Sequence, residues 1–132
     1  NEARLRSLAD FKNYQRRSIE NEIRAAESGM ARVVRSILPA VEQMKMAIVH
    51  SADDAVVKGF QIALDELMKG LAECGVSTIE PAPGDEFDPQ LHEAMMREET
   101  EGVETDHVVS LMQTGFRLGE IVLQPAKVSV GG

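Results

Sequence analysis

The sequence has no tryptophan, one tyrosine, four phenylalanines and one cysteine among 132 residues. Aromatics at 4% supply little of the large apolar volume that anchors small cores. A self-sufficient core is therefore not expected, and a second copy of the chain would supply the missing buried surface. The lone Cys74 excludes an intrachain disulfide framework and fits a reducing, cytoplasmic setting. No run approaches the roughly 18 apolar residues of a transmembrane helix, and no signal-peptide pattern is present. The chain opens at Asn1 inside a charged helical pattern, as the ordered part of a longer protein would.

Catalytic signatures are missing too. There is no glycine-rich phosphate loop and no G-x-S-x-G. His92-Glu93 begins like the zinc pattern H-E-x-x-H, but position 96 is Met and the second ligand is lost. His50, His92 and His107 are scattered, without a cysteine at metal spacing. Cys74 has no activating neighbour and reads as a small packing residue. Glu98, Glu99, Glu101, Glu104 and Asp106 flank Gly102 without the spacing of a calcium loop, so they read as a solvated turn. No catalytic, cofactor-binding or metal-binding residue is expected, and the chain is not read as an enzyme.

The net charge of −8 conceals a division. Residues 1–36 carry eight basic and five acidic side chains, a surplus of +3, which leaves −11 for the remainder. An acidic protein is poorly suited to nucleic acid, where affinity rests on phosphate neutralisation. The basic stripe is either a solvated face or a protein-docking face. No membrane or small-molecule partner is indicated.

What is present is a seam. Ile19, Ile23, Ala26, Met30, Val33 and Ile37 follow one another at gaps of 4, 3, 4, 3 and 4, a heptad repeat between charged or small residues. Such a stripe is hidden best by coiling around a second helix. Nothing earlier in the chain can fold back over it, so another copy is the expected partner; an amphipathic helix packed on its own domain is the alternative. Residues 1–38 read as one helix, about 55 Å long. Continued backwards, the heptad frame brings Arg16 and Lys12 into the seam, while Leu8 and Phe11 fall out of frame. The paired helices are expected to run straight or splay there, leaving Arg16 and Arg17 accessible.

Pro39 is expected to bend or restart the helix. Val41, Met44 and Ile48 then mark a short helix ending near His50. Ser51 or Asp53 caps a further helix whose apolar face is Val56, Phe60, Leu64, Leu67 and Leu71, and Gly75 stops it. Two such hairpins, one per chain, make a four-helix bundle with Phe60 and Leu64 in the interface. After Gly75 come Val76–Ile79, a Pro81–Asp85 turn cluster, and β-rich runs at Val108–Met112, Ile121–Leu123 and Lys127–Val130. The expected fold is α+β, with a long dimerising helix (1–38), a helical hairpin forming half of a four-helix bundle across the dimer (39–75), and a small, mainly antiparallel β-domain (76–132).

Phe87-Asp-Pro-Gln-Leu-His-Glu-Ala-Met-Met, Glu99-Thr100, Val108-Val109, Gln113-Thr-Gly-Phe-Arg-Leu and Pro125-Ala-Lys-Val occur in this order. With Leu8-Ala-Asp-Phe-Lys-Asn-Tyr-Gln-Arg-Arg and Ile37-Leu-Pro-Ala-Val, they resemble the GrpE family, nucleotide exchange factors of the bacterial chaperone DnaK. The resemblance implies a parallel homodimer of long, heat-sensitive helices, a four-helix bundle and two β-domains, preceded by a variable acidic tail. It implies no active site and no cofactor. One β-domain would bind the DnaK nucleotide-binding domain and hold a lobe open, so that ADP leaves.

Arg16, Arg24, Phe87, Ala94 and Val130 match the family's contact positions, with Asp88, Pro89 and His92 shaping the loop that presents Phe87. Plain core packing is the alternative for Phe87 and Val130. Where the family usually has arginine in its late hairpin, this chain has Ile121 and Gln124. Either the charged contact has moved, with Arg117 nearest, or the partner meets an apolar residue. The rival reading is a structural coiled-coil adaptor that docks another protein.

A carboxylate placed in the seam tests its role. Ile23→Asp is expected to convert a sedimenting dimer largely to monomer, since an unpaired buried charge costs several kcal/mol. A wild type that sediments as a compact monomer would refute the intermolecular seam.

Overall fold

The computed structural model describes all 132 residues. Its elements run α1 (Glu2–His50), α2 (Asp54–Glu73), β1 (Val76–Ile79), β2 (His92–Glu98), β3 (Val108–Gln113), β4 (Gly115–Leu118), β5 (Ile121–Gln124) and β6 (Ala126–Gly131), an α+β chain. Contacts divide it into two compact units, Asn1–Val33 and Val34–Gly132.

The first unit is helix alone. Its seam residues Ile19, Ile23, Met30 and Val33 are 58, 54, 42 and 60% exposed in the single chain. Leu5, Leu8, Phe11 and Tyr14 are exposed as well.

The second unit excludes one of the two outcomes expected at Pro39, a restart. The helix does not stop or restart there; α1 continues through Pro39 to His50, and no separate short helix exists. Proline removes one backbone donor and crowds the preceding turn, at about 3 kcal/mol. Burial on both sides offsets it: Val34, Leu38 and Val41, at gaps of 4 and 3, are 4, 2 and 0% exposed. Each buried aliphatic side chain contributes about 1.5–3 kcal/mol. The expected boundary at residue 38 thus falls inside a helix.

Residues 51–53 join the helices. Asp53 caps α2, its carboxylate accepting from the amides of Ala55 (3.0 Å) and Val56 (3.4 Å). Gly75, at φ 94°, ends it and leads into β1. On α2, Leu64 and Leu71 are buried within the single chain, whereas Val56 and Phe60 remain exposed.

The strands form two three-stranded sheets, in the orders β1-β4-β5 and β2-β6-β3. All pairings are antiparallel except β2 with β6, which is parallel. Two strands lie where the sequence reading has none. β2 covers the His92–Glu98 motif, and β4 covers Gly115–Leu118 within the Gln113–Leu118 motif.

The chain passes between sheets three times, once through residues 80–91 and twice through a single residue: Thr114 joins β3 to β4, and Pro125 joins β5 to β6. The two single-residue passages abut. A Cβ on Gly115 would fall 2.5 Å from the Ala126 nitrogen and 2.8 Å from the Gln124 carbonyl oxygen. The Gln124 amide donates to the Thr114 carbonyl at 3.3 Å, tying one passage to the other. Ile79, Val108, Ala126, Val128 and Val130, drawn from both sheets, form the core, with Phe87, Leu91, Leu111 and Val122 packed against it.

Gly115→Ala forces a methyl group into backbone that cannot yield like a side chain. It is expected to destabilise the β-sheets by about 2–3 kcal/mol, at the upper end of overpacking costs. Denaturant unfolding followed by circular dichroism checks this; unchanged stability would show that the passages can separate.

Candidate functional site

Phe87 sits on a segment built by hydrogen bonding. Gly84, at φ 93°, turns the chain, and the Asp85 carboxylate accepts from the Ala82 amide at 2.8 Å. The Gly84 amide then donates to the Val108 carbonyl, and the Val108 amide to the Asp85 carbonyl, each at 2.8 Å. The Phe87 amide donates to the Asp106 carbonyl at 3.3 Å. This staples the segment to the start of β3.

The next turn is closed by side chains. The Asp88 carboxylate accepts from the Gln90 amide at 2.9 Å, and the His92 amide donates to the Asp88 carbonyl at 2.8 Å. The Asp88 amide donates to His92 Nδ1 at 3.0 Å. Nδ1 must keep its lone pair for this, so the ring proton sits on Nε2. His92 is 8% exposed, and its ring lies 5.8 Å from that of Phe87, tilted by 50°. The pair fixes where the phenyl ring can go.

That place is inward. Phe87 is half-buried against the core rather than projecting from the loop. Val130 is 1% exposed and lies within the core, so its assignment as a contact residue is corrected: its side chain has no free surface to offer. Leu64, placed in the dimer interface by its spacing, is 5% exposed within one chain and belongs to that chain's own core. Phe60 differs. With Val56, Gly59 and Ala63 it lines an open apolar groove of about 380 Å³.

The remaining positions are accessible but not all together. Ala94 is exposed on β2, paired with Val128 of β6. Arg117 and Ile121 belong to the other sheet, where Leu118 pairs with Ile121 across the Gly119-Glu120 turn. Arg117 Nε donates to the Gly119 carbonyl at 2.9 Å, and its guanidinium lies 3.6 Å from Glu120. Arg16 and Arg24 are exposed on the helical first unit. Beside Phe87, Asp106 takes a left-handed φ of 61° and pairs with Arg97 at 2.7 Å. Sequence reading missed this latch because Arg97 lay in an unrecognised strand. Both side chains are more than half exposed, so the pair adds little stability; Arg97 also donates to the Gly131 carbonyl at 3.3 Å.

No group of three or more His, Cys, Asp or Glu residues is placed to hold a metal ion. No helix is long and apolar enough to cross a membrane. The accessible residues are surface positions divided between the helical first unit and the two sheets of the second.

Comparison with known proteins bears on those positions. The family model described as GrpE matches residues 1–132. Protein GrpE of Staphylococcus carnosus is 36% identical over 131 residues, covering 96% of this chain and 65% of the relative. Protein GrpE of a Nitratiruptor species is 33% identical over 135 residues, covering 96% and 75%. Protein GrpE of Bacillus subtilis is 37% identical over 131 residues, covering 96% and 69%. The chain thus spans roughly two thirds to three quarters of these relatives' length.

Truncation of Phe87 separates packing from contact. Phe87→Ala is expected to lower β-sheet stability by about 2 kcal/mol, less than for a fully buried phenylalanine. Denaturant melts of the two proteins give the difference, and an unchanged midpoint would return Phe87 to the surface.

Proposed function

The chain belongs to the GrpE family, and from that membership we propose that it is a nucleotide exchange factor of a DnaK-type chaperone, speeding the release of ADP. The observation that carries this reading is the family match across all 132 residues, helices and strands alike. The mechanism is differential binding. A surface that fits the open, nucleotide-poor form of the chaperone's nucleotide-binding domain better than the closed form pulls the equilibrium towards release. By the same linkage, nucleotide weakens the complex to an equal degree. No bond is made or broken by the chain itself.

The working form in this proposal is a homodimer. Supporting it are the exposed seam Ile19, Ile23, Ala26, Met30 and Val33, with half-buried Ile37, and the groove beside Phe60. An apolar stripe of this length left in water is an unsatisfied hydrophobic surface. The residues proposed to meet the chaperone are Arg16, Arg24, Ala94, Arg117, Ile121 and the outer edge of Phe87. The place of action is the cytoplasm.

Heat sensitivity follows from the same seam. Around Lys12 and Arg16 it has charge where apolar contact is needed, and long paired helices draw their stability from such contact. A fluorescent ADP analogue bound to DnaK is expected to leave faster with the chain present. That stimulation should fade on warming, as helical circular dichroism is lost reversibly in a step below the melting of the sheets. An adaptor would leave ADP release unchanged, and a single cooperative melt would remove the thermal part of the proposal.

A further inference from the structure

Arg35 lies on α1, eighty-eight residues from the strand it touches. Its Nε donates to the Leu123 carbonyl at 3.4 Å and its terminal nitrogen to the Val122 carbonyl at 3.3 Å. Consecutive carbonyls of a regular strand point to opposite edges, so one side chain cannot ordinarily reach both. β5 is irregular at this point. Its register against β4 runs from Phe116↔Gln124 to Arg117↔Val122, so two steps on β5 match one on β4, and Leu123 is the additional residue of a bulge. The bulge brings both carbonyls to the side where the guanidinium lies. β5 is also an edge strand, with no further strand to bind these groups. A planar guanidinium with several fixed donors suits two neighbouring acceptors better than an ammonium does.

A second contact from the same helix joins the same sheet. Lys45 Nζ stands 5.4 Å from the centre of the Phe116 ring on β4 and 3.8 Å from the Glu42 carboxylate, an ion pair beyond hydrogen-bond reach. The β4–β5 hairpin is therefore held from α1 at both of its strands. That hairpin carries Arg117 and, next to the bulge, Ile121.

We propose that Arg35 is a positioning residue: by holding the β5 bulge it sets the hairpin that presents Arg117 and Ile121, and makes that presentation depend on an ordered α1. This rests on the reading of the hairpin as part of the chaperone-binding surface. Helix and contact surface are then one device, since the turn that bears Arg35 must be helical for the fork to reach β5.

The test is a double-mutant cycle with amide exchange alongside it. Arg35→Met keeps the aliphatic stem and removes the donors. It is expected to slow chaperone-stimulated ADP release about tenfold, the size of a 1.4 kcal/mol change in binding. In an Arg117→Ala, Ile121→Ala background, already slowed, the same substitution should cost less than about twofold, because residues acting through one another are not additive. Amides of β5 should exchange faster in Arg35→Met while those of β6 do not, which general destabilisation would not produce. Arg35→Lys should recover only part of the loss, and it covers the case in which Arg35→Met folds poorly. Additive effects in the cycle, or β5 exchange unchanged, would overturn the positioning role alone. A wild type that fails to stimulate release overturns the exchange function and the role together, whatever β5 exchange shows.

Discussion

The β-sheets depend on a place where there is no room for a side chain. At Thr114 and Pro125 the chain moves between sheets through single residues, and the two passages press against each other, with Gly115 against the backbone of Gln124, Pro125 and Ala126. Because they touch, the chain leaves edge strand β3 for central strand β4 beside the point where it leaves edge strand β5 for central strand β6. Val108, Ala126, Val128 and Val130 are thereby brought over Ile79 and Val122, and one core serves both sheets. With a core of valines and few aromatics, the burial per residue is modest. Closely fitted backbone does here what large side chains do in bulkier cores.

The helices were legible because their signals are local. The heptad gaps, the Asp53 cap and the Gly75 stop each state their structure within a few residues. Pro39 misled, since its local cost is real but the buried stripe Val34, Leu38 and Val41 outweighs it. The strands divided by burial. β1, β3, β5 and β6 are rich in β-branched residues. β2 reads His-Glu-Ala-Met-Met-Arg-Glu, a run of helix formers, and only His92 is buried, so no alternation shows. Its pairing comes from β6, more than thirty residues away.

The proposed contact surface rests on resemblance alone. Nothing in the spacing of Ala94, Arg117 or Ile121 marks them, because contact residues need no periodicity. Where spacing was informative it still could not tell one buried face from another. Leu64 shares a stripe with Phe60, but its own chain covers it while Phe60 faces outward. Val130 matched a contact position in a strand that turns out to be central. Arg35, by contrast, looked like one more charge on a solvated helix, and its partner carbonyls exist only once the β5 bulge has formed.

The place of β6 has a consequence for synthesis. It is the middle strand of β2-β6-β3 and the last of the three in the sequence. A ribosome delivers β2 and β3 while neither has a neighbour, for β2 pairs with β6 alone and β3 likewise. The helices can form within microseconds of emerging, whereas this sheet must wait until residue 131 is free. During that interval Val108 and Leu111 lie on an unpaired strand, without Val128 and Val130 of β6 that share their core. The polypeptide thus passes through a stage of incompleteness of the kind that chaperones attend to.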